Sequence, residues 1–195
     1  MTRNQKMGIV AIIVGIAIFV PLLFSAVRFS FTAGGVDITD AMVELGAPAG
    51  FSFLQLLEHI GDMSFWILIA QLGTIALILC SIGLVVIGVL FVCNQAEGLA
   101  KWFKKGMMNV GQIAAVVALA VIFNSLLAAP EVVHGVEGRD LIGFGSIILL
   151  LVGVAVFLLG MFHEKILGTT AQEQASTPTK DNAVDTTPKG EFGQE

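Results

Sequence analysis

The most reactive side chains in this chain are three histidines and two cysteines. Their positions along the sequence do not predict a reactive cluster. His59 and His134 fall in polar connections on one side of the apolar segments, whereas His163 falls at the opposite end. A bis-histidine haem site needs imidazoles that face each other inside a helical bundle. We therefore expect these histidines at the surface or the membrane interface. Haem or quinone near His59 and His134, or a divalent metal held by this pair and nearby carboxylates, are the alternatives.

Sequence motifs for enzyme chemistry are absent. The sequence contains no CxxC pair, no GxSxG motif, no phosphate-binding loop and no zinc-ligand spacing. Cys80 lies inside an apolar segment, where it is expected to act as a small packing residue, and Cys93 lies at the end of the same segment. Palmitoylation of Cys93 in a eukaryote is an alternative. We expect no enzyme activity and no cofactor.

The composition excludes several classes of protein. Hydrophobic residues make up 56% of the 195 residues and charged residues 13%, with a mean hydropathy of +0.90. A soluble domain is about a quarter charged. A soluble enzyme, a disordered chain, a nucleic-acid-binding protein and a disulfide scaffold are therefore excluded, and the lipid bilayer is the expected surrounding.

Four stretches without any charged residue are long enough to cross a bilayer, which takes about 20 residues. They cover residues 7–27, 64–92, 107–129 and 141–162. In lipid every backbone group must be paired within the segment, so runs of this length are predicted to be helices. The sequence predicts an all-α integral membrane protein: an antiparallel four-helix bundle over residues 1–167, followed by a disordered tail over 168–195.

The distribution of basic residues predicts the orientation. Six basic residues flank the spans near the chain start, between the second and third spans, or directly after the fourth span: Arg3, Lys6, Lys101, Lys104, Lys105 and Lys165. Only Arg28 and Arg139 lie in the two other connections. Basic residues concentrate on the cytoplasmic side. Both termini are therefore predicted to be cytoplasmic, in a plasma (inner) membrane, with the first span retained as an anchor.

The connections carry two candidate contact segments. The first, between the first and second spans, is predicted to lie on the outer side. Its apolar residues recur at helical spacing, which predicts a short amphipathic helix. The predicted interaction residues of this segment are Phe51, Leu54, Leu57, Glu58 and Asp62. A loop folded over the outer end of the bundle is the alternative. A second short turn over residues 37–45 is expected to begin with Asp37 as its cap. The inner connection has basic and aromatic residues suited to lipid headgroups: Lys101, Trp102, Lys104 and Lys105.

Polar and small residues inside the spans predict helix packing. Gln71 and Asn124 should reach similar depth on antiparallel helices, so an interhelical amide bond is expected, with a polar substrate path as the alternative. The third span has small residues at four-residue spacing, which allow close backbone approach: Gly111, Ala114, Ala115 and Ala118. Pro21 is expected to bend the first span. No span contains an ionisable residue, which argues against a proton relay, a voltage sensor and most ion-coupled transport.

The two-hairpin layout with a longer first outer connection is similar to that of claudin-type tetraspan proteins. The first connection, however, has no Trp and no Cys pair, so the W-GLW and C-C patterns of that family are missing. Tetraspanins have a long Cys-bearing second loop, which is also missing. No functional residue is carried over from either family.

These observations predict a non-enzymatic accessory or scaffolding subunit of a membrane protein complex, whose partners are other membrane subunits or a second copy. Two alternatives remain: an oligomeric channel or facilitator for a small neutral solute, and a redox subunit that holds haem or quinone.

Overall fold

Four helices in the computed structural model are long and apolar enough to cross a membrane. The structure describes residues 2–58, 64–93, 95 and 97–167. Its helices are α1 (Arg3–Phe19), α2 (Thr39–Glu44), α3 (Phe53–Leu56), α4 (Phe65–Val92), α5 (Ala100–Leu127) and α6 (Phe144–Leu167). The apolar helices are α1, α4, α5 and α6, as the sequence predicts. The predicted tail over residues 168–195 lies outside the described residues.

The helix α1 begins at a capping box and ends near Pro21. The Thr2 hydroxyl accepts a hydrogen bond from the Gln5 N–H, while the Gln5 side chain accepts one from the Thr2 N–H. The chain then passes into a 3₁₀ turn, Val20–Leu23, and from Ser25 it is extended. Proline lacks an N–H and collides with the carbonyl four residues earlier. The first span, predicted to run to residue 27 with a bend, therefore stops being helical at Leu23.

The first and third connections form a five-stranded antiparallel sheet, so the protein is mostly helical but not all-α as predicted. The strands are β1 (Ser25–Ala33), β2 (Val36–Asp37), β3 (Gly50–Ser52), β4 (Glu131–Val133) and β5 (Val136–Ile142). Their order is β2-β1-β5-β4, and β3 also pairs with β1. The central pair joins the two connections, from Val27 opposite Ile142 to Ala33 opposite Val136.

Two tight turns close the hairpins of this sheet. Gly34 and Gly35, between β1 and β2, have φ values of 58° and 83°; His134 and Gly135, between β4 and β5, have φ values of 51° and 83°. Positive φ at both central residues is the requirement of a two-residue hairpin turn whose twist matches the strands. The similar sequences GVDITD, from Gly35, and GVEGRD, from Gly135, thus both begin at the second residue of such a turn.

Short helices replace the longer outer helix that the sequence predicts. Ser52 caps α3, with its hydroxyl accepting a hydrogen bond from the Gln55 N–H at 3.2 Å. Phe53 and Leu56 are buried, and α3 packs against α4. Phe51 lies in β3 instead, because its backbone pairs with β1. The helix therefore covers four residues of the predicted segment.

The second short turn is helical, as expected, but Asp37 is not its cap. The N-cap residue of α2 is Ile38. The Asp37 carboxylate accepts hydrogen bonds from the Thr39 hydroxyl at 2.6 Å and the Thr39 N–H at 2.9 Å. These bonds, the hydroxyl first, lower the pKa of Asp37. Asp37 therefore holds Thr39, the first residue of the helix, although it is not the N-cap residue.

The long helices pack pairwise through small residues. Gly8 of α1 meets Gly88 of α4, and Gly111 of α5 meets Gly153 of α6. Between α4 and α5 the rings of Phe91 and Phe103 are 5.9 Å apart. In each pair the contacts run in opposite chain directions, and α6 also touches α1. Beneath the sheet, Ser146 of α6 donates a hydrogen bond to the Ala26 carbonyl at 2.8 Å.

The basic inner segment is the beginning of α5 rather than a connection. The helix starts at Ala100, seven residues before the predicted span. Trp102 is 63% exposed and Lys105 is exposed, whereas Lys104 is half-buried. The backbone of Lys101 lies in the first turn of α5. The predicted headgroup residues therefore share the first two turns of a helix.

Candidate functional site

A cavity of about 570 Å³ lies between the sheet and the adjacent ends of α4 and α5. Its walls combine three kinds of side chain: the aromatic rings of Phe29, Phe51 and Trp66, the polar groups of Ser64 and Asn124, and the carboxyl groups of Glu131 and Asp140. Small-molecule sites occupy about 300–1,000 Å³ and place a few polar groups on a mainly apolar wall. The volume and the mixed lining make this cavity a candidate binding site.

Strand register brings these residues to one face of the sheet. Phe29 on β1 lies directly opposite Asp140 on β5, and directly opposed residues share a face. The ring of Phe29 contacts that of Phe51 edge to face, with centroids 5.3 Å apart. On the helical side, Trp66 of α4 packs on Phe123 of α5 at 5.6 Å. The aromatic walls are thus held by regular structure on both sides.

One carboxyl group of this cavity is affected by its burial and by a second carboxyl group. Asp140 is half-buried, and burial followed by the charge of Glu131 raises its pKa. A second cavity of about 300 Å³ shares both carboxyl groups and adds Phe31 and Arg139. The described lining contains no nucleophile paired with a base.

The two predicted amides each form a hydrogen bond with another segment of the chain. The Gln71 side chain donates a hydrogen bond to the Leu56 carbonyl at 2.7 Å, which ties α4 to α3. The Ser64 hydroxyl donates to the Asn124 side-chain oxygen, which ties the start of α4 to α5. Because each amide bonds to a group from another segment, both contribute to interhelical or loop packing. A direct bond between Gln71 and Asn124 stays a prediction.

The predicted small-residue face of α5 lies against α6. Ala114 and Ala118 are fully buried. A Cβ added at Gly111 would lie 2.5 Å from the Phe157 nitrogen, and one added at Gly153 would lie 2.8 Å from the Ala115 nitrogen. The two backbones are therefore too close for a side chain at Gly111 or Gly153.

The predicted outer interaction residues are only partly accessible. Phe51, Leu54 and Leu57 are half-buried, and Glu58 is exposed. Asp62 lies outside the described residues. Their role in partner binding stays a prediction.

Of the three histidines, the structure describes the side chain of His134, which is exposed at the β4–β5 turn. The side chain of His163, in α6, is not described. His59 lies outside the described residues. Among the residues that are described, no group of three or more His, Cys, Asp or Glu side chains is placed to hold a metal ion.

An apolar row crosses the end of the sheet that is farther from the long helices. It consists of Val36, Ala33, Val136 and Val133, which are directly opposed across four neighbouring strands. Val36 is 65% exposed and Val133 is 59% exposed. Ala33 is four residues from Phe29 along β1, and Val136 is four residues from Asp140 along β5. An even separation keeps side chains on one face of a sheet, so the row lies on the same face as Phe29 and Asp140.

Comparison with known proteins returned no relative: no protein-family model, no curated protein and no solved structure matches this chain.

Sequence reasoning missed the cavity because its walls come from three separate regions. Two local signals were available for the sheet. Residues 28–33 alternate apolar and polar side chains, which is typical of a strand with one buried face. The pairs Gly34–Gly35 and His134–Gly135 contain the glycines of two-residue hairpins. No local signal places Asp140 beside Phe29.

Proposed function

We propose that this chain is a multi-pass membrane protein that acts as a non-enzymatic accessory or scaffolding subunit of a membrane protein complex. Its four long apolar helices would cross the membrane as an antiparallel bundle, with both termini in the cytoplasm of a plasma (inner) membrane. The distribution of basic residues supports this orientation. The sheet would then stand on the outer surface, where it is available to partners.

The apolar row is the observation that carries the proposal. From Ser25 to Ala33, β1 extends for about 26 Å at roughly 3.3 Å per residue, so the row lies well away from the apolar helices. Contiguous apolar patches that stay exposed outside lipid are typical of protein–protein contact surfaces. Partner binding would cover Val36 and Val133.

Affinity purification in mild detergent tests the proposal with two adjacent valines. Val132 and Val133 lie in the same edge strand with 68% and 59% exposure, but their side chains point to opposite faces. Val133→Glu should remove co-purifying membrane proteins, whereas Val132→Glu should retain them. Equal melting temperatures of the two variants would show that folding is unchanged. Equal loss from both variants, or no co-purifying protein with the wild type, would contradict the proposal.

Charge reversal at Glu58 tests the second predicted contact segment. Glu58 is exposed, so Glu58→Lys should leave folding intact and weaken co-purification of the same partner. Retention at the wild-type level would restrict the partner surface to the sheet.

A channel or facilitator for a small neutral solute is the second candidate function. The observation that favours it is that Asn109 and Gln112 of α5 are exposed within an apolar helix. Several copies arranged around such faces would enclose a polar path. Solute flux in proteoliposomes that is lost in Gln112→Leu would favour this function over the accessory role.

A further inference from the structure

One long helix differs from the other three in what it exposes. In the part of the chain that the structure describes, α4 exposes only Phe, Leu, Ile and Val side chains, and α6 exposes only such residues with Ala155 and Met161. From Ile9 to Leu23, the exposed residues of the first helix and its 3₁₀ turn are also apolar. The exposed stripe of α5 instead contains two carboxamides: its members are Asn109, Gln112, Val116, Leu119 and Phe123.

The position of Gln112 along α5 makes this exposure costly in lipid. Lys105 marks the basic end of the helix, and seven residues at 1.5 Å each place Gln112 about 10 Å farther in. A glutamine side chain is too short to return its amide over that distance to the headgroups. Among the described residues, neither Asn109 nor Gln112 has a hydrogen-bond partner for its side chain. Unpaired polar groups in a hydrocarbon environment cost free energy.

We propose that the exposed stripe of α5 is the contact surface for a second copy of this chain, with α5 packed against α5 about a two-fold axis along the membrane normal. The inference rests on the membrane-spanning arrangement proposed above, but not on any accessory role. Each carboxamide is both donor and acceptor, so it pairs with an identical group. Parallel two-fold packing brings Gln112 beside Gln112 of the other copy, and Asn109 beside its counterpart, at equal depths.

The spacing of the stripe fits this packing. Its members follow one another at three- and four-residue steps, which is the seam of helices that cross at a shallow angle. Lipid acyl chains have no group that could bond to the amides. A second copy supplies matching groups at the matching depth, because the symmetry of a two-fold interface makes the same patch meet itself.

Disulfide cross-linking in native membranes tests the surface with a matched pair of valines. Val116 in the stripe and Val86 on α4 are each 53% exposed. In a background with Cys80→Ala and Cys93→Ala, Val116→Cys should form a covalent dimer under mild oxidation, and Val86→Cys should not. Equal dimer formation at the two positions would indicate random collision and would overturn the proposal. So would the absence of any dimer at Val116→Cys.

Removal of the amides provides a measurement that needs no introduced cysteine. Fluorescence energy transfer between differently labelled copies in liposomes reports the dimerisation constant. From the average strength of hydrogen bonds in membranes, we expect dimerisation to weaken about threefold in Gln112→Leu. In the double variant Asn109→Leu/Gln112→Leu we expect it to weaken about eightfold. Unchanged energy transfer would refute the proposal, provided that detergent melting shows both variants folded.

These outcomes are separate from the test of the accessory role. Loss of the co-purifying partner in Val133→Glu with intact cross-linking at Val116→Cys would support both ideas. Cross-linking without any co-purifying partner would reject the accessory role alone. A covalent product between Val116→Cys and a protein of another mass would replace the second copy with a different subunit. Solute flux that disappears with the amides, without energy transfer between copies, would overturn the dimer in favour of a polar path.

Discussion

Replacement of Gly111 by alanine probes the closest approach between α5 and α6. The added Cβ would lie 2.5 Å from the Phe157 nitrogen, 2.7 Å from the Gly153 oxygen and 2.9 Å from the Phe157 Cα. All three atoms belong to the backbone, so no side chain can turn away. Nonbonded heavy atoms prefer separations of about 3.5–4.0 Å. The two helices would have to part by about 1 Å at this point.

The size of the effect follows from overpacking and helix propensity. Forcing extra atoms into a well-packed contact costs about 1–3 kcal/mol. Alanine also favours a helix over glycine by up to about 1 kcal/mol, and that gain applies at any helical glycine. Gly83 of α4 is the matched control, because a Cβ there meets nothing within 4 Å. The difference between Gly111→Ala and Gly83→Ala isolates the packing cost, which we expect to be about 2 kcal/mol.

Thermal melting in mild detergent, followed by tryptophan fluorescence, measures this difference. For a protein of this size about 2 kcal/mol corresponds to roughly 4–8 °C in melting temperature. Gly111→Ala should therefore melt several degrees below Gly83→Ala, and Gly83→Ala should melt at or above the wild type. A Gly111→Ala variant that melts as high as Gly83→Ala would show that these backbones are not in close contact, and the packing argument would fail.

Further predictions concern packing, topology, pH and the tail. Ala115→Leu should lower the melting temperature in detergent, because its branched side chain enters the same contact with α6; no change would mean that this position faces lipid. A cysteine at Thr39 should react with a membrane-impermeant reagent from outside, and one at Thr177 only after permeabilisation; the reverse pattern would reject the orientation. The folded state retains the proton of Asp140 to higher pH than the unfolded chain, since burial and a neighbouring carboxylate raise its pKa. The contribution of Asp140 to stability therefore falls as the pH rises above the ordinary pKa of 3.8. Asp140→Asn should raise the free energy of unfolding at pH 7 by less than about 1 kcal/mol, and it should flatten the pH dependence of the melting temperature. Truncation after Gly168 should leave melting unchanged, because the composition of the tail cannot form a core; a large drop would show that the tail docks.

The four apolar helices could be predicted from the sequence, because their determinant is local. Long uncharged runs must pair their backbone groups internally once water is excluded, and a helix does so within one segment. The small residues of α5 were also found this way, since close helix approach depends on spacing along one chain segment. The end of α1 was placed too late because residues 24–27 carry no charge, and an uncharged segment is compatible with a strand as well as with a helix.

The sheet depended on pairing that no single segment contains. Residues 28–33 alternate in the manner of a strand, and the glycine pairs mark hairpin turns, so the separate strands had local signals. Their partners did not: Val27 pairs with Ile142, more than one hundred residues away. Long-range strand pairing is decided by which segments the helices bring together.

The sequence alone determined which residues are apolar enough to leave water, and with them the number of long helices. Only the tertiary structure decided which surfaces remained open after packing. Gln112 and Gln71 are both amides in apolar helices, yet Gln71 is buried and bonds to Leu56, whereas Gln112 faces outward. The same division applies to the cavity, where Asp140 meets Phe29 only because β1 and β5 are neighbours. The residue type determines how favourable a given environment is for a side chain. The packing of neighbouring segments decides which environment that side chain occupies.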